Sequence, residues 1–126
     1  MVQRARTNTP LQAFVTLNDP QFVEAARVFA ARMLAEGGSS TESRLDFGYR
    51  LAMARHVRPG EVAVLEAMLE EQRRRFGGDA EKAEKAEAFL QVGEAPLPAG
   101  IDKAELAAWT VIAQVILNLD EVIMRG

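Results

Sequence analysis

His56 is the only histidine of this chain and stands beside Arg55 and Arg58, so acid–base chemistry near neutral pH would have to begin there. No HExxH-type spacing surrounds it, and a general-base or metal-binding role requires Asp or Glu partners that only the fold can supply. Without such partners, His56 reads as a surface residue near a helix C-terminus, where positive charge is favourable. Asp120 and Glu121 are adjacent, so on a helix their side chains diverge by about 100° and cannot share one substrate. Gly37-Gly38-Ser39-Ser40-Thr41 has the look of a phosphate cradle. It lacks the preceding strand and the lysine of a P-loop, and reads as a turn followed by a helix cap. Arg73-Arg74-Arg75 reads as a solvated helix face, partly neutralised by Glu70 and Glu71. The chain has no cysteine, which excludes thiolate catalysis, disulfides, iron–sulfur ligation and covalent haem attachment. The sequence therefore assigns no catalytic residue, no metal ligand and no cofactor of the chain's own.

The elements that would position these groups are helical. The 126 residues are 48% hydrophobic, 26% charged and only 6% aromatic, and the apolar share is mostly Ala, Leu, Val and Met, which favours helix over strand. A chain of this length buries roughly two-thirds of its unfolded surface and suits a single domain over residues 1–126. The net charge of −3 lacks the basic excess of a nucleic-acid footprint. No apolar stretch follows Arg4 and Arg6 to form a signal peptide.

Capping signals divide the chain. Thr9-Pro10-Leu11-Gln12 opens a short helix to about Leu17, and Asn18-Asp19-Pro20 opens a second that ends at Gly37-Gly38, with Phe22, Ala25, Ala26, Phe29, Ala30, Met33 and Leu34 at helical spacing. A third, capped in the Ser39–Thr41 region, shows Leu45, Gly48, Leu51 and Ala52 on one face, Phe47 and Tyr49 on its flanks, and stops near His56. Pro59 starts a fourth, with Val62, Leu65, Met68, Leu69 and Phe76 inward, that ends at Gly77-Gly78. Asp79 caps a fifth, with Ala83, Ala86, Phe89 and Leu90 inward. Residues 93–101, with Pro96 and Pro98, form an internal linker. Asp102, with Glu105 three residues on, caps the last helix, about Lys103 to Arg125. The expected fold is all-α, a compact bundle of five to six helices around that hydrophobic C-terminal helix.

From Leu106 to Leu119 only Thr110, Gln114 and Asn118 are polar. The run is too short for a membrane span, which needs about 20 apolar residues. With Lys103, Glu121 and Arg125 these residues fall within an arc of roughly 80°. Two readings stay open: a solvent-facing strip, or buried amides of Gln114 and Asn118 that bond the N-terminal segment around Asn8, Gln12, Asn18 and Asp19. Trp109 lies on the apolar side and is expected in the core.

The stretches Arg6-Thr7-Asn8-Thr9-Pro10-Leu11-Gln12-Ala13, Leu17-Asn18-Asp19-Pro20-Gln21-Phe22-Val23-Glu24-Ala25-Ala26-Arg27, Ala107-Ala108-Trp109-Thr110 and Leu117-Asn118-Leu119-Asp120-Glu121 resemble a known family. It is the C-terminal part of the large bacterial domain of unknown function found in planctomycete cytochrome-c-domain proteins. The resemblance implies an exported, extracytoplasmic parent protein of which this chain is the C-terminal fragment, with a cytochrome-c-like module upstream. It transfers no catalytic residue, and no Cys-x-x-Cys-His is present to carry a redox role. The expected function is a non-catalytic structural or protein-interaction module, partnered by the rest of its parent or by a second copy. The alternative is a segment of an extracytoplasmic enzyme, acting on polysaccharide, to whose site Asn8, Asn18 and Asp19 would contribute.

Overall fold

The computed structural model describes residues 19–93 and 96–125, the last six of these by backbone alone. The helix expected from Pro10 to Leu17 lies outside the described residues. Among those described there are five helices and no strand: α1 (Pro20–Glu36), α2 (Thr41–Met53), α3 (Pro59–Phe76), α4 (Ala80–Leu90) and α5 (Lys103–Arg125). The all-α bundle read from the sequence is the fold observed.

Local chemistry sets most of the boundaries. The Asp19 carboxylate accepts from the Gln21 amide at 2.8 Å ahead of Pro20, and the Ser40 hydroxyl accepts from Ser43 N at 3.0 Å while Ser43 Oγ accepts from Ser40 N. Asp79 takes the Lys82 amide at 2.9 Å. At α3 the residue before the helix is Arg58, which has no acceptor to offer, and Glu61 reaches back to the Arg58 amide at 2.9 Å instead. These bonds satisfy amides that a helix start leaves without partners.

The core lies along α5, which packs against each of the other four helices. Leu106, Trp109, Ile112, Ala113 and Ile116 meet Ala26, Ala30 and Met33 of α1, Leu45 and Tyr49 of α2, Leu65, Leu69 and Phe76 of α3, and Ala86 and Leu90 of α4 in one apolar cluster. Small residues let the helices close: a Cβ on Gly48 would come 2.6 Å from Met33 Sδ and 3.4 Å from Ile116 Cδ1, where α2 crosses α1 and α5. The connection between α4 and α5 is held from α1. Arg27, 1% exposed, donates to the Pro96 carbonyl at 3.0 Å, and Gly93 sits at φ +79° where any side chain would strike Glu24.

Three expectations are corrected. The face of α2 is Leu45, Gly48, Tyr49 and Ala52, an i, i+3, i+4, i+7 set; Leu51 lies about 110° from its centre and is 46% exposed. Ala25 and Ala83 face solvent, because Val23 extends the buried face of α1 and Ala86 with Leu90 suffices for the short α4. Helix α2 ends at Met53, short of His56, on Ala54 in the left-handed conformation (φ 58°, ψ 31°).

Candidate functional site

Among the described residues, that turn builds a joint where ionisable groups converge on an open cleft. The Ala54 reversal sends Arg55, His56 and Val57 back along α2 before α3 begins. His56 Nδ1 lies 3.0 Å from both carboxylate oxygens of Asp46, ten residues earlier on α2. Asp46 Oδ1 also accepts the Val57 amide at 2.9 Å, and Arg50, one turn along the helix, is 3.7 Å away. The Val57 amide foremost, then His56 and Arg50, hold the Asp46 carboxyl below its usual range, so it is ionised near neutral pH and can only accept. The His56 proton therefore resides on Nδ1, and Nε2 is the basic nitrogen of a ring whose side chain is 76% exposed.

Arg55 fixes the other side of the turn. Its guanidinium binds Glu61 in two-pronged fashion at 3.0 and 2.8 Å, donates to the His56 carbonyl at 3.0 Å and lies over the Tyr49 ring at 5.1 Å. The Arg55 hydrogen bonds, with the Arg58 amide, bring the Glu61 carboxyl down to about 2, while burial raises the Tyr49 phenol. The cleft beside this joint has a volume of about 420 Å³ and is lined by Ser40, Glu42, Ser43, Asp46, His56 and Val57. A second, of about 330 Å³, is lined by Leu90, Gln91, Val92, Gly93 and Leu97 and holds no ionisable group.

The condition set by the sequence, that the fold bring a carboxylate to His56, is met. Asp46 carried no signal, because ten residues separate it from His56 and the intervening turn rests on a non-glycine left-handed residue. Among the described residues no three His, Cys, Asp or Glu side chains gather as a metal site.

The other candidates are placed differently. Asp19 is spent on the α1 cap; Asn8, Gln12 and Asn18 lie outside the described residues, as do the side chains of Asp120 and Glu121. Thr110 is fully buried and Gln114 is 6% exposed, so the solvent-facing reading of the polar line is overturned along this part of α5, which four helices enclose. Thr110 Oγ1 donates to the Leu106 carbonyl at 2.7 Å and Asn118 Nδ2 to the Gln114 carbonyl at 3.0 Å, each within its own helix. Trp109 is in the core and donates from Nε1 to Glu105 at 3.1 Å. Arg73 of the triple-arginine run binds the same carboxylate at 2.6 Å and also pairs with Glu70, which ties α3 to α5.

Residues 1–69 match the family model described as PSD1, protein of unknown function (DUF1553). The match takes in the Arg6–Arg27 stretch and the Asp46–His56 joint and stops within α3, whereas the 107–121 stretch lies beyond it. Neither a curated protein nor a solved structure matches the chain.

Proposed function

The chain belongs to the PSD1 (DUF1553) family of proteins of unknown function, and within it we propose that the chain serves as a helical module whose main work is packing and protein contact. The observation that carries this is the use of its polar side chains. Asp19, Ser40 and Asp79 are consumed by helix starts, and Asp102 accepts from Ala104 N at 3.3 Å. Large apolar side chains remain on the outside, Val28 and Leu51 at 46%, Val64 at 61% and Leu119 at 36% exposure, and these are the contacts offered to the rest of a longer parent or to a second copy.

On this reading the parent is an exported bacterial protein, with this module towards its C-terminal end and a cytochrome-c-like module elsewhere in it. The resemblance of the N-terminal and α5 stretches supports that placement. No helix among the described residues is long and apolar enough to cross a membrane.

Light scattering coupled to size-exclusion chromatography tests the contact role. We expect the isolated chain to move from monomer towards dimer over a hundredfold range of concentration, and V64E or L51E to shift it back. A strictly monomeric particle throughout would overturn self-association as the cover for these side chains.

A further inference from the structure

We propose that Asp46 and His56 form a general-base site that hydrolyses small uncharged or cationic carboxylic esters in the cleft at the α2–α3 joint. The inference does not rest on the packing role, since the pair stands at the surface and the cluster around α5 is complete without it.

Three independent observations meet at this joint. The first is the directed hydrogen bond: an ionised carboxylate, itself anchored by the Val57 amide and flanked by Arg50, holds Nδ1–H and leaves Nε2 basic. A histidine that served only as a surface charge at a helix end would need no anchored carboxylate behind it. The second is the cleft, of about 420 Å³, whose lining includes both His56 and Asp46. The third is Ala54, which holds the left-handed conformation without being glycine at the residue that turns the chain towards His56. The Arg55–Glu61 ion pair braces the same turn from its far side.

The chemistry follows from this pair. Nε2 removes a proton from a water molecule as the water oxygen attacks the ester carbonyl carbon. The tetrahedral adduct then expels the alcohol oxygen, which takes the proton back from the imidazolium, and acid and alcohol leave. No oxidant, metal or second substrate is consumed. Glu42 and Asp46 in the lining disfavour anionic substrates, and the volume admits a small molecule. Asp46 acts through His56 and is a positioning residue.

The 126-residue chain, H56Q and D46N are assayed with p-nitrophenyl acetate from pH 5 to 9, beside N-acetylhistidine at equal concentration. His56 is exposed, so far-UV circular dichroism of H56Q should equal that of the unaltered chain. We expect a second-order rate constant at least tenfold above that of N-acetylhistidine, rising with pH through a single ionisation. H56Q should lose both the excess rate and the ionisation. D46N should keep an ionisation but fall at least fivefold at its plateau. A rate no faster than N-acetylhistidine, or H56Q as fast as the unaltered chain, overturns the site. D46N at full rate overturns the role of Asp46.

Discussion

Ala54 and Glu61 bracket the turn that carries His56, and each makes a measurable statement about it. A left-handed alanine costs about 1 kcal/mol relative to glycine in the same conformation, and Ala54 N already bonds Arg50 O at 3.1 Å as a helix-end residue would. A54G should therefore raise stability by about 1 kcal/mol in urea unfolding, with the helical signal unchanged. A loss of stability would show that the side chain contributes contacts that outweigh the strain. Glu61, lowered to about 2 by the Arg55 guanidinium and the Arg58 amide, titrates at a higher pH when unfolded than when folded. Its contribution is thus complete above the ordinary carboxylate range near 4.5 and is lost as pH falls towards 2. E61Q should destabilise the chain at pH 7 and make the acid limb of its stability profile shallower below pH 4.5. Equal slopes in both proteins would refute the assignment.

At the scale of elements, close approach between helices matters more than their individual propensities. Gly48 is a poor helix former in the middle of α2, worth about 1 kcal/mol less than alanine there. Its missing Cβ is what admits Met33, which is fully buried. G48A should gain propensity and lose more to overpacking, for a net cost of about 1–2 kcal/mol. M33A should cost about 2–4 kcal/mol alone. The double variant should be more stable than the sum of the two predicts, because the new methyl enters the space the thioether vacates. Strict additivity in chemical denaturation would mean that the two side chains do not meet. The link from Arg73 to Glu105 and Trp109 works at the same scale. The arginine holds the Glu105 carboxyl below its ordinary range, so this α3–α5 tie weakens only as acid protonates it.

For the whole molecule, the arrangement around α5 makes the last fifth of the chain indispensable. A truncation after Gly100 would leave α1 to α4 with their apolar faces and no common partner. It should show no cooperative thermal transition and should bind a hydrophobic dye, while the intact chain melts in one step. A cooperative melt of the truncated chain would mean that the family-matched region, residues 1–69, reaches a folded core by other contacts.

Caps and periodicity make the five described helices legible in the sequence, because most of their boundaries are local events: a carboxylate or hydroxyl two or three residues from the amide it accepts, or a glycine that ends a helix. The same locality explains the reading of α5 as the central helix, since an almost wholly apolar circumference has only one place to go. What escaped depended on distance along the chain. Whether Thr110 and Gln114 face water is decided by four other helices and not by the spacing within α5. Arg27 belongs to the core because the Pro96 carbonyl comes to meet it from 69 residues away. The pairing of His56 with Asp46 required a left-handed alanine that no residue type announces. Short-range hydrogen bonds and apolar spacing are written residue by residue, whereas burial of a polar group and convergence of two ionisable ones exist only once the chain has closed on itself.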